Sequence, residues 1–183
     1  MIPRRPDKRR SAAIQLLEDH GAATIEHPGG LLLDHLRRTE QTLRSWEADE
    51  PTCLAGLCHA AYGTQGFPTA LVPVTSRATL RDAIGADAEA IVYRYGACDR
   101  EATYPGLGSV KATFTDRFTG SLEVVSGDAL RAFALVTIAN ELDLVRLDAF
   151  DDGTTRSIAH LFKRLATYAP VEAGHALGEM AVT

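Results

Sequence analysis

The sequence predicts an all-α domain of six to seven helices carrying one small β-hairpin, and three observations lead there. Apolar residues recur at i, i+3, i+4 spacing in most segments between turn-forming glycines and prolines. One stretch alone, residues 111–125, reads as β-branched and aromatic residues on either side of Arg117-Phe-Thr-Gly120. The chain has 183 residues, 45% hydrophobic and 23% charged, which suits one domain with a real core.

Taken in order, residues 1–10 form a basic tail, expected to be disordered. Ser11 can cap a helix reaching His20, ended by Gly21. Pro28-Gly29-Gly30 forces a turn. A helix over 31–46 follows, with Leu32, His35, Leu36, Thr39, Leu43 and Trp46 inward and Arg37, Arg38, Glu40 and Arg44 toward water. Pro51 suits the first turn of another helix, running to about Tyr62. Residues 63–76, with Gly63, Gly66 and Pro68, read as a loop fit for a site wall or lid. Ser76 can cap a helix closed by Gly85, and another spans 87–97. Residues 98–110 should be irregular, and the hairpin follows. Helices over 128–147 and 154–168 complete the single domain, 11–170, with 171–183 a frayed C-terminal tail.

Composition narrows function. No run of 18 apolar residues occurs, so no membrane helix is expected, and the N-terminus lacks an apolar leader; a cytoplasmic protein follows. Of the net charge of −5, the first ten residues carry +4 and the remainder −9. An acidic body offers no phosphate-binding stripe, so neither nucleic acid nor membrane is expected as a partner; a small-molecule substrate is, and a homodimer is compatible. Cys53, Cys58 and Cys98 lack zinc-type spacing and read as reduced, partly buried thiols. There is no P-loop, GxSxG, CxxC or HExxH.

The candidate chemistry lies between residues 27 and 67. His59 and Tyr62 are expected on one helical face, next to His35 from the preceding helix. Histidine takes and returns a proton near neutrality, and tyrosine polarises an oxygen, so His35, His59 and Tyr62 are the catalytic candidates. The competing reading for His59 is a core histidine bonded to a backbone carbonyl. His27, before the glycine turn, and Arg100 are substrate-binding candidates for an acidic, enolic or phenolate oxygen. Asn140 and Glu141 join them: Asn140 falls at the centre of the apolar stripe of its helix, Glu141 at an edge, and Asp143 outside it. A buried amide without partners costs about 1–3 kcal/mol, so Asn140 should bond a histidine or a ligand.

Leu33-Asp-His35-Leu-Arg, Leu57-Cys-His59-Ala60 and Ala139-Asn140-Glu-Leu together resemble the HD-domain superfamily of helical metal-dependent phosphohydrolases and oxygenases. The His, Gly-rich turn, Leu-Leu-Asp-His-Leu and His-x-x-Tyr-Gly-Thr run looks closer still to an uncharacterised HD-like branch. The resemblance covers roughly residues 20–147 and implies an HD-like helical bundle. It also implies metal-binding carboxylates that this chain lacks: Ala60 stands where the superfamily has its bridging Asp, and Asn140 where it has the second. No cofactor is therefore favoured. The alternative is one divalent ion, iron, manganese or zinc, on His35, His59 and Glu141 or Asp143.

The expected function is a small-molecule enzyme with His-based acid/base chemistry on a degenerate HD-like scaffold. Dehydration, cyclisation or isomerisation of a carbon-rich, biosynthetic type of substrate would suit it. The alternatives are a mononuclear metal-dependent hydrolase or oxygenase, and a non-catalytic ligand-binding module.

Overall fold

The computed structural model describes residues 8–147, 149 and 151–168. Helix α1, Lys8–Asp19, starts inside the stretch read as a disordered tail. The cause is an ion pair over 30 residues: Arg10 Nε donates to both oxygens of buried Glu40, at 2.7 and 3.0 Å. Residues 1–7 and 171–183, the rest of the two expected tails, lie outside the described residues.

A two-stranded ladder follows that periodicity could not reveal, β1, Glu26–His27, with β2, Gly30–Leu31. Pro28 and Gly29 close it, and the Gly29 φ of 81° suits the third position of a Pro-Gly type II turn. The ladder region also caps α2, Leu32–Ser45: the carbonyls of Ile25 and Ala22 accept from the N–H groups of Leu32 and Leu33 at 2.9 and 3.0 Å. The inward stripe of α2 is as expected, but Glu40 is buried between Arg10 and Arg44 rather than facing water.

Asp49 caps α3, Glu50–Cys58, by accepting from Thr52 N–H at 2.8 Å, with Pro51 in the first turn. This helix stops short of the expected Tyr62. Its last carbonyls close tight turns, Cys58 O to Ala61 N and Ala60 O to Gly63 N, and Gly63 turns the chain away at φ 68°. A Cβ there would sit 2.8 Å from the carbonyl oxygen of Pro68, so only glycine fits. Leu71 and Val72 then return to bond the carbonyl of Ala61.

A 3-10 turn, Val74–Ser76, leads into α4, Arg77–Ile84, without the expected side-chain cap from Ser76. Gly85 joins it to α5, Ala86–Ala97. Within the stretch read as irregular, Asp99 caps a single turn, α6, Arg100–Thr103. The predicted hairpin is β3, Lys111–Thr115, paired antiparallel with β4, Leu122–Ser126. Phe114 on β3 meets the ring of Phe133 edge-on at 4.6 Å, fastening the hairpin to α7, Gly127–Arg146. Helix α8, Asp152–Leu165, is the last described.

The fold is mostly helical, with eight α-helices and two small ladders among the described residues. The counts exceed the expectation because α6 and β1–β2 are too short to show a period. Helices α2 and α3 form a pair, α7 packs against α2, α3 and α5, and α1 lies on α3 and α4. As the central helix, α7 is buried nearly all round from Leu130 to Leu144. No described helix is long and apolar enough to cross a membrane.

Candidate active site

Helices α2 and α7 and the end of α3 bring His35, Asn140 and His59 to one point. His35 is fully buried. Its Nδ1 lies 2.7 Å from Asp143 Oδ2, and its Nε2 lies 2.9 Å from Asn140 Oδ1 and 3.3 Å from His59 Nε2. Arg38 grips the same Asp143 with two hydrogen bonds, Nε to Oδ1 at 2.8 Å and Nη2 to Oδ2 at 3.0 Å. On the other side, His59 Nδ1 donates to the carbonyl of Gly56 at 2.8 Å, the partner of the competing structural reading. That bond fixes the ring without using its Nε2.

Asp143 was expected outside the inner stripe of its helix. It is buried because α7 is enclosed on all sides, so no face is free for solvent. Arg38, expected in water, folds back onto it for the same reason.

Hydrogen-bond accounting sets the tautomers. Burial works against the charge of Asp143, but hydrogen bonds from His35 and Arg38 outweigh it and hold the carboxyl down at about 2. An ionised Asp143 requires a hydrogen on His35 Nδ1, and the Gly56 carbonyl requires one on His59 Nδ1. Asn140 Nδ2 donates to Glu141 Oε1 at 3.1 Å, which turns its oxygen toward His35. Three acceptors, His35 Nε2, His59 Nε2 and Asn140 Oδ1, therefore converge. A single hydrogen shared among the three satisfies them. His59 itself stays neutral, since burial, and next the neighbouring His35, push its pKa down to about 3.

His59 and Asn140 help line a cavity of about 370 Å³, with Ala60, Phe67, Arg100, Glu141, Leu144, Ile158 and Leu161 among the other walls. His27 and Pro28 of the β1–β2 turn close one side, and the His27 ring stacks on His35 at 4.3 Å and 20°. Burial, then His35, lower the His27 pKa to about 4. Arg100 enters the cavity rather than forming a pair at its own helix end. It donates from Nη1 to Glu141 Oε1 and from Nη2 to Tyr95 Oη, each at 3.2 Å. Its backbone N–H donates to Gln65 Oε1 at 2.6 Å, tying α6 to the loop that supplies Thr64, Gly66 and Phe67 to the wall.

Tyr62 is the correction. It shares no helical face with His59, because α3 ends at Cys58, and it does not line the cavity. Its hydroxyl donates to buried Glu89 at 2.8 Å, a carboxylate also held by Arg77 at 2.7 and 2.8 Å. Burial, then Glu89, drive the Tyr62 pKa well above its ordinary value. Tyr95, Tyr104 and the α8 residues Thr154, Ser157, Ile158 and Leu161 were missed as site residues. Tyr104 and the polar α8 positions give no periodic signal, and Tyr95 reads as ordinary core.

The carboxylates named for a single ion have other partners. Asp143 sits on the Nδ1 side of His35, away from His59, and Glu141 is taken by Arg100 and Asn140. Among the described residues, no three His, Cys, Asp or Glu side chains are grouped to hold a metal ion.

The neutral histidines make stability pH-dependent. Because the folded His59 pKa lies below the unfolded value of 6.5, the unfolded chain binds more protons between pH 6.5 and 3, and stability falls as pH drops through that window. His59 alone should cost roughly 3 kcal/mol between pH 6.5 and 4. His27 acts in the same direction down to about pH 4, and Asp143 below about pH 4. Urea midpoints at pH 7 and pH 4.5 test this; a His59→Gln variant should show a much flatter pH dependence than the wild type.

Residues 16–100 match the model of a family described as a domain of unknown function, DUF6817. The matched segment includes His27, His35 and His59, ends at Arg100, and stops before Asn140, Glu141 and Asp143. Neither curated proteins nor solved structures gave a match.

Proposed function

We propose that this protein is a small-molecule enzyme using histidine acid/base chemistry on a degenerate HD-like helical scaffold. The reactions that suit the site are dehydration, cyclisation or isomerisation of a carbon-rich substrate beside a carbonyl. One observation carries the reading: carboxylate and backbone partners fix both imidazoles through Nδ1, leaving His35 Nε2 and His59 Nε2 3.3 Å apart, close enough to share a proton. His59, on the cavity wall, would take a proton from the ligand. His35, held by Asp143 and absent from the wall, would position His59, and the Asp143 carboxylate behind it would balance the charge that His59 gains. Asn140 would hold the proton between them, Arg100 would receive a ligand oxygen, and His27 would exclude water from His35. The meeting of His35, His59 and Asn140 from three separate segments supports the HD-like reading of the scaffold.

The same three converging acceptors also favour a second reading, a metal-dependent hydrolase or oxygenase retaining one ion on the two histidines. Elemental analysis of protein purified without chelator separates the two. Acid/base function predicts substoichiometric metal that does not change in His35→Ala or His59→Ala. Stoichiometric iron, manganese or zinc lost in both variants sinks it. A ligand that binds and is returned chemically unchanged would favour a non-catalytic binding module.

A further inference from the structure

The cavity walls carry a simple charge pattern. Of the lining side chains among the described residues, Arg100 and Glu141 alone bear full charges, and their N–O separation is 3.2 Å, so the two cancel. The next carboxylate, Asp143, is not on the wall and is already paired with Arg38. His27 and His59, both on the wall, have their Nδ1 atoms already engaged, with the carbonyls of Pro28 at 3.2 Å and Gly56 at 2.8 Å. Phe67, Leu144, Ile158 and Leu161 supply an apolar lining.

A carboxylate entering this space would be stripped of water against those side chains and would compete with Glu141 for a guanidinium already neutralised. An ammonium would find no spare carboxylate. A neutral acceptor meets neither cost. Arg100 has five N–H groups, of which Glu141 and Tyr95 take two, so hydrogen-bond capacity remains although charge does not. We infer that the cavity takes an uncharged, carbon-rich ligand whose carbonyl oxygen bonds Arg100, and that it rejects carboxylates and amines of the same skeleton. The cavity volume of about 370 Å³ lies near the small end of the roughly 300–1,000 Å³ typical of ligand sites. The choice of a carbonyl rests on the acid–base reading, which needs an activated C–H or C–O bond beside His59. The exclusion of charge rests on the wall alone, and it reverses the anionic oxygen first expected opposite Arg100.

The test uses three probes sharing one skeleton: 2-acetylnaphthalene, 2-naphthoate and 2-naphthylmethylammonium. Their affinities for the full chain are measured by titration calorimetry at pH 7.5. The ketone should bind at least about tenfold tighter than either charged probe, a gap of about 1.4 kcal/mol. Glu141→Gln uncovers the Arg100 charge, so naphthoate should gain at least about tenfold and overtake the ketone. Ser157→Trp, at an exposed position on the cavity rim, should abolish ketone binding with an unchanged far-ultraviolet circular dichroism spectrum. Naphthoate binding to the wild type as tightly as the ketone overturns the proposal. So does a ranking unmoved by Glu141→Gln, or no saturable ketone binding below about 1 mM. Metal analysis on the same preparations keeps the two ideas apart: the predicted ranking in a protein with stoichiometric metal removes the acid–base reading and leaves the ligand class, whereas a metal-free protein preferring naphthoate does the opposite.

Discussion

On the proposed acid–base function, Asp143→Asn should lower turnover by about three orders of magnitude while leaving the fold intact. An amide matches the carboxylate in shape but has one acceptor where Asp143 uses two oxygens, on Arg38 and His35. Arg38 makes its shorter bond from Nε to Oδ1 and its longer one from Nη2 to Oδ2; an amide oxygen kept on Nε places the NH₂ beside His35 Nδ1 and demands a lone pair there. His35 then carries its hydrogen on Nε2 rather than Nδ1, and the proton shared with His59 and Asn140 has no carboxylate behind it. A wrong-tautomer substitution in the serine-protease triad costs about 10⁴ in kcat, which sets the scale. Imidazole ¹⁵N resonances read the switch without a substrate: the His35 Nδ1 signal should move from pyrrole-like to pyridine-like. An unchanged His35 spectrum would show that Asp143 does not set the tautomer.

Glu89→Ala should destabilise the protein by about 2–3 kcal/mol: three hydrogen bonds to a buried carboxylate are lost, and the 33% exposed Arg77 side chain is then hydrated in part. Glu89 is 1% exposed and accepts from Arg77 twice and from Tyr62 once; alanine leaves a guanidinium and a phenol without their partner. Tyr62→Phe removes only one of these bonds and should cost about 1 kcal/mol. Urea denaturation measures both. Because Tyr62 stands apart from the cavity, Tyr62→Phe should also leave 2-acetylnaphthalene binding within about twofold of wild type, below about 0.5 kcal/mol. A Tyr62→Phe loss as deep as that of Ser157→Trp would return the tyrosine to the site.

The helices were legible because their apolar periods are long, and His35 was placed on the buried stripe of α2 by that period alone. Asn140 was found in the same way, as a polar amide at the centre of an apolar stripe. Tyr62 failed for a local reason. Nothing in a count of 100° per residue reports that α3 closes at Cys58 in tight turns or that Gly63 adopts φ 68°. Asp143 failed for a global one: stripe arithmetic assumes one wet face, and α7 has none from Ala132 to Leu144. Glu40, also assigned to water, was misread because its partner Arg10 lies 30 residues away. The cavity itself could not be read, since its far wall comes from α8 and its near wall from a Pro-Gly turn.

The stacking of His27 on His35 has an isotopic consequence for the acid–base reading. His35 has no solvent exposure, and His27, Asp143, Asn140 and His59 occupy its surroundings. With a ligand filling the cavity, a hydrogen passed to His59 meets the ligand directly and bulk water only behind His35, through an Asp143 side chain that is 10% exposed. A deuterium taken from one carbon of the ligand would be delivered to another position of the same molecule, so the enzyme would conserve its label within a turnover and exchange it only between turnovers.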